Sequence, residues 1–188
     1  MKLLNEIIQY NQEFVEKKEY EKYETTKLPN KKMVILTCMD TRLIELLPQA
    51  MNVRNGDVKI VKSAGAIVTH PFGSIMRSLL VAVYELNADE ICVVGHHDCG
   101  MSKLNADSFL EKAVNRGIDE EKIDMLKYSG VDLQQWLQGF DSVEESVSFT
   151  VDQIANHPLL SKDVPVHGLV IHPTTGKLDL VVNGYDAQ

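Results

Sequence analysis

Two apolar runs that break off in metal-binding residues decide most of what this chain can fold into. The first is Ile35-Leu36-Thr37-Cys38-Met39-Asp40-Thr41-Arg42, and the second is Ile91-Cys92-Val93-Val94-Gly95-His96-His97-Asp98-Cys99-Gly100. Buried strands of a parallel sheet read as continuous apolar runs, and ligands collect at their carboxyl ends. Two such ends placed side by side would bring Cys38, Asp40, His96 and Cys99 into one crevice. Two thiolates, an imidazole and a carboxylate suit a tetrahedral Zn²⁺.

The rest of the chain reads as a scaffold for that crevice. Leu4, Ile7, Ile8, Phe14 and Val15 fall at helical spacing within 2–24, which predicts an amphipathic N-terminal helix. It either packs on its own sheet or forms an arm, over 1–28, laid across a partner subunit. Strands are expected at 33–38, 58–62, 90–95, 164–171 and 178–182. Helices are expected at 43–51, from Pro71 onward, and from the capping pattern Ser142-Val143-Glu144-Glu145 to about Asn156. Residues 101–140 carry weak helical patterns and read as short helices covering one side of the sheet. The last two strands are joined by His172-Pro173-Thr174-Thr175-Gly176-Lys177, a hairpin-length link, so they should pair antiparallel. The order predicts one α/β domain over 1–188. Its mostly parallel central sheet has four parallel strands and an antiparallel edge strand, and helices flank it.

Composition removes several function classes. A chain of 188 residues with 44% hydrophobic and 24% charged residues can bury an ordinary globular core without staples. Its net charge of −8 disfavours nonspecific binding to nucleic acid or to anionic membrane. No apolar run approaches a membrane span, and the N-terminal Met1-Lys2-Leu3-Leu4-Asn5-Glu6 meets charge too early for a secretory signal, so a cytoplasmic location is expected. Three cysteines in a reducing compartment point to ligation or catalysis rather than to a disulfide framework. Cys92, inside its apolar run, reads as a small buried hydrophobe.

In Cys38-x-Asp40-x-Arg42 the spacing of two puts all three side chains on one face if strand geometry persists. In His96-x-x-Cys99 a tight turn can aim both donors at one point, with Gly95 and Gly100 giving the backbone freedom. Cys38, His96 and Cys99 form a Cys₂His set with one position left over, the pattern of a catalytic zinc. Either Asp40 fills that position and closes the site, or Arg42 holds Asp40 in a bidentate pair and a water enters. Two thiolates already neutralise Zn²⁺, so a water there should have a pKa above the roughly 7 of a His₃ zinc site, and activity should rise toward alkaline pH. Taken singly, each residue has a plainer reading. An isolated Cys or His in an apolar run is usually core, and a lone Asp-x-Arg is usually a surface pair of little weight.

CMDTR at 38–42, SAG at 63–65 and GHHDCGM at 95–101 resemble the β-class carbonic anhydrases, and the likeness extends to the terminal VHG…TGKLDLVVNGYD. The resemblance implies a zinc enzyme with one Zn²⁺ per chain on Cys38, His96 and Cys99. It implies that Asp40 is either the fourth ligand or the partner of Arg42. It further implies that zinc-bound hydroxide attacks CO₂ to give bicarbonate and a proton, in a homodimer or tetramer whose N-terminal helix embraces the neighbouring subunit. Ala64, Gly65, Ala66, Ile67 and Gly100 would shape the pocket for a linear apolar substrate. Ser63 stands where the family commonly has Asn, and His97 where Thr is usual, which makes His97 a candidate proton shuttle. Asp98 is given no catalytic step, and His70, His157, His167 and His172 read as caps, turns or packed residues. Two other functions fit the same motifs: hydration of carbon disulfide or carbonyl sulfide, and a non-catalytic zinc or thiol module with Asp40 permanently on the metal.

Overall fold

The computed structural model describes residues 2–187. Five strands, β1 (Met33–Cys38), β2 (Val58–Ser63), β3 (Glu90–His96), β4 (Val166–Ile171) and β5 (Leu178–Val182), form one sheet in the order β2-β1-β3-β4-β5. β1 pairs in parallel with both β2 and β3, β3 pairs in parallel with β4, and β5 closes the edge antiparallel to β4. The fold is therefore α/β with the expected four parallel strands and antiparallel edge. Because the chain steps from β1 outward to β2 and then back across to β3, the strand order reverses between β1 and β3. Such a reversal opens a crevice at the carboxyl ends of the two strands.

The described residues form seven helices besides the sheet: α1 (Leu3–Glu16), α2 (Leu43–Ala50), α3 (Ser74–Tyr84), α4 (Ala106–Asn115), α5 (Glu120–Tyr128), α6 (Leu133–Leu137) and α7 (Val143–Ala155). Alternate strand residues feed two cores. Val34, Leu36, Ile91, Val93, Val166 and Val170 pack with Met76, Leu79 and Ala82 of α3 and with Val147, Val151 and Ile154 of α7. Ile35, Cys92, Val94 and Ile171 pack on the other face with Leu43 and Leu47 of α2. Cys92 is buried there, and burial pushes its thiol up to about 12, as expected of a residue that serves only as core.

Three local expectations are corrected, and the open choice for the N-terminal helix is narrowed. The N-terminal helix ends at Glu16, because Lys18 takes a left-handed φ of 56° and starts a turn. α1 does not lie on its own sheet: none of its residues is buried, and Leu3 and Ile7 are 70% and 54% exposed. Pro71 does not open α3; it sits in a turn closed by the Gly73 N–H donating to the His70 carbonyl, and the helix begins at Ser74. β4 begins at Val166 rather than 164, directly after Pro165, which has no N–H to give a ladder. The Ser142 cap is as expected, its hydroxyl accepting from the Glu145 N–H at 3.2 Å to open α7.

Gly95 has a different purpose from backbone freedom. Its φ is not positive, but a Cβ there would lie 2.7 Å from Val147 Cγ2 and 2.8 Å from Val143 Cγ2. Gly168 on β4 faces the same helix, with Val147 Cγ1 at 2.8 Å from its would-be Cβ. The two glycines form a shallow bed that lets α7 press close to the strand carrying His96. Gly95→Ala should therefore destabilise the fold by about 1–3 kcal/mol through overpacking. In a denaturant titration, Gly95→Ala combined with Val147→Ala should cost less than the sum of the two single changes; strict additivity would show that this contact is not the constraint.

Candidate metal centre

β1 and β3 deliver their ends to the crevice, with Thr37 on β1 paired to Val94 on β3, one residue short of Cys38 and two short of His96. Three ligand atoms converge there. Cys38 Sγ, Cys99 Sγ and an imidazole nitrogen of His96 all lie within 4.8 Å of one another, and all three residues are buried. The two sulfurs are 3.9 Å apart and unbonded. Two Zn–S bonds of about 2.3 Å at a tetrahedral angle separate their sulfurs by about 3.8 Å, so the pair is already spaced for one ion.

The imidazole supplies the sharper evidence. His96 Nδ1 lies 2.8 Å from the His97 carbonyl, a contact in which the ring N–H donates, and this leaves the Nε2 lone pair free. Nε2 is buried and has no hydrogen-bond partner. An orphaned buried nitrogen is costly unless something else fills its lone pair. A metal ion beside two sulfurs would fill it, and a Cys₂His donor set suits zinc.

Burial alone would raise both thiols. For Cys38 the His96 imidazole and the backbone N–H groups of Gly65 and Asp40 outweigh burial and bring the thiol below its ordinary value. Cys99 goes the other way, raised by burial and by the nearby Cys38 and Asp40. Burial would also lower the His96 imidazole, but Cys38 and the His97 carbonyl reverse this and raise it.

Asp40 and Arg42 lie at the rim. Strand geometry ends at Cys38, so the three residues do not share a face by alternation as expected. The Arg42 backbone N–H donates to Asp40 Oδ1 at 2.8 Å, a side-chain turn that breaks the strand and leads into α2. The Arg42 guanidinium then grips the same carboxylate twice, Nε donating to Oδ1 at 3.0 Å and Nη2 to Oδ2 at 2.8 Å. The hydrogen bonds from Arg42 outweigh burial and hold the Asp40 carboxyl down at about 2. Asp40 Oδ2 remains 3.7 Å from His96 Nε2, the same nitrogen that faces the two sulfurs.

Beside the sulfurs, β2 ends at Ser63, which pairs with Cys38, and runs into a single turn at Ala64–Ala66. Gly65 and Ala66 take left-handed φ values of 73° and 60°. This is where glycine is needed, since a Cβ at Gly65 would also lie 3.0 Å from both Ile67 Cδ1 and Met101 Cγ. Of the expected pocket residues, Gly65 and Ala66 are buried, Ala64 is half-buried, and Gly100 is exposed. The left-handed residue of the turn after β3 is Asp98, φ 53°, while Gly100 has ordinary geometry. His97 lies toward Glu144, 3.9 Å from its carboxylate, and near the His172 ring. Asp98, read from sequence as orienting its turn or stabilising a helix start, also reaches Arg42: its carboxylate and carbonyl both accept from the guanidinium at 3.0 Å. The clue was an acid in the one turn position that needs a left-handed backbone, which Asp tolerates well.

Comparison with known proteins agrees with this geometry. The sequence profile of the family described as carbonic anhydrase matches residues 33–178. A solved structure of β-carbonic anhydrase isoform I from Trichomonas vaginalis superposes with a TM-score of 0.90 at 36% identity, covering 98% of this chain and 100% of that one. The chain belongs to the β-carbonic anhydrase family. The Bacillus subtilis (strain 168) protein named "Putative carbonic anhydrase YtiB" is 69% identical over 99% of this chain and 100% of its own length. A carbon disulfide hydrolase of Saccharolobus solfataricus is 31% identical over 80% of this chain and 78% of its own.

The opposed thiol shifts give a test by metal affinity. Cys99 is protonated across neutral pH, so binding Zn²⁺ must expel at least its proton, and affinity rises with pH. As pH falls, Cys38 and His96 also take up protons, so the slope of log affinity against pH should steepen from about one toward two or more below pH ~7. Chelator competition across pH 6–9 measures it; an affinity independent of pH would exclude thiolate ligation.

Proposed function

We propose that this protein is a zinc-dependent carbonic anhydrase interconverting CO₂ and bicarbonate. The observation that carries the reading is the division of labour at the crevice: three convergent donors beside a carboxylate that Arg42 holds away from them. Zinc held by Cys38, His96 and Cys99 would act as a Lewis acid toward water, supplying a nucleophile at mildly alkaline pH. The other steps belong to the chain's own residues. Asp40, ionised and fixed by Arg42, presents Oδ2 toward the crevice, where it accepts a hydrogen bond from the reacting water and so orients its lone pair toward the substrate. Half-buried Ile67, beside the buried Gly65 and Ala66, would give a small apolar wall suited to a linear molecule without hydrogen-bonding hydrogens. The overall change is balanced: CO₂ and water give bicarbonate and one proton, which leaves to solvent.

A second reading has support from the carbon disulfide hydrolase relative, namely hydration of carbon disulfide or carbonyl sulfide on the same groups. Parallel assays with the three gases separate the two. The non-catalytic module with Asp40 permanently on the metal is disfavoured by the Arg42 grip on that carboxylate. A reducing compartment such as the cytoplasm suits two ligand thiols. The exposed apolar face of α1 supports an N-terminal arm laid over a second copy of the chain, in a homodimer or tetramer.

Stopped-flow hydration of CO₂ by metal-quantified protein tests the main reading. The rate should rise from pH 7 to pH 8.5, and Asp40 cannot cause that rise, because its carboxyl near 2 stays ionised throughout. A flat profile, or absence of turnover with one zinc per chain, would sink the proposal. Asp40→Ala should lower turnover by about a hundredfold, the scale of losing a positioned proton acceptor. For the assembly, Ile7→Glu with Ile8→Glu should shift sedimentation toward monomer; an unchanged profile would remove α1 from the interface.

A further inference from the structure

Arg42 is held by two acids. Its Nε and Nη2 donate to Asp40, while Nη1 donates to Asp98 Oδ2 and Nη2 also donates to the Asp98 carbonyl, both at 3.0 Å. The Asp98 side chain is 74% exposed and that of Asp40 only 17%. Asp98 therefore grips the guanidinium from the solvent side while Asp40 meets it from the crevice side. The backbone at Asp98 is left-handed, which aims the carboxylate back across the crevice mouth from the β3 end to the β1 end.

We infer that Asp98 is a positioning residue that anchors Arg42 and thereby decides how readily Asp40 leaves it for the metal. This rests on the zinc reading above and deepens it. Asp40 has two competing partners. Arg42 holds it now, and Oδ2 is 3.7 Å from the orphaned His96 nitrogen that faces the metal position. An arginine on a flexible stem and tied only to Asp40 could swing with it; an arginine tied also to Asp98 stays, so Asp40 must break its bonds to move. Exposed charge pairs are weak, which suits a bias between two positions better than a scaffold role.

The plainer account of Asp98 is its left-handed turn. Asp98→Gly separates the two accounts, because glycine keeps that backbone and removes only the carboxylate. With zinc-loaded protein, Asp98→Gly should release zinc to a chelator about two- to fivefold more slowly, as Asp40 spends more time as an extra ligand, and turnover should fall by a similar factor. The visible spectrum of the Co²⁺-substituted variant should shift for the same reason. Asp98→Asn, which keeps a neutral acceptor, should lie between the variant and the wild type. All three changes should vanish when Asp40→Ala is present. Unchanged or faster zinc release in Asp98→Gly, or an effect that persists undiminished beside Asp40→Ala, overturns the inference. Zinc release and the cobalt spectrum do not depend on CO₂ turnover, so a failure of the proposed activity stays distinguishable from a failure at Asp98.

Discussion

The parallel pairing of β1 with β3 is the constraint on which the rest depends. It is the seam where strand order reverses, and the groups at the two strand ends line the crevice that opens there. Cys38 lies at one end, and His96 with Cys99 at the other. Everything nearby protects that seam. Two apolar cores hold the strands from both faces, and the glycine bed at Gly95 and Gly168 lets α7 clamp the strand that carries His96.

Burial then converts position into chemistry. Thiols and an imidazole in water would each keep their own hydration; withdrawn into the crevice, they have only one another and a few backbone groups. The result is one thiol made easier to ionise, its neighbour made harder, and an imidazole nitrogen left without a partner. That imbalance costs energy in a bare protein and would be relieved by a single dication, which would displace the thiol protons to solvent and fill the lone pair. Asp40 escapes it because Arg42 satisfies both its oxygens at the rim.

Much of this was legible in the residues. The succession of strands and helices along the chain, the antiparallel edge and the convergence of Cys38, His96 and Cys99 all follow from apolar runs and where they stop. What was missed shares one physical cause: local patterns report which residues can form an element and say little about what the neighbours require. The helical pattern of the N-terminus continued past Glu16, where Lys18 turns the chain. Pro71 looked like a helix start, although a turn held by His70 comes first. Gly95 looked like a flexible hinge and proved to be space for Val147. Cys38, Asp40 and Arg42 looked like one strand face, whereas the Asp40 side chain ends the strand by accepting the Arg42 N–H.

Sequence by itself determined the α/β class, put forward Cys38, His96 and Cys99 as candidate donors and offered Arg42 as one of two partners for Asp40, because residue type and short-range spacing are local properties. Only the tertiary structure decided which way that pair faces, that Asp98 joins it from another strand end, and that α1 keeps its apolar side uncovered by its own chain. Those outcomes depend on contacts between segments far apart in the chain, where burial and the geometry of the seam, rather than spacing, select the partner.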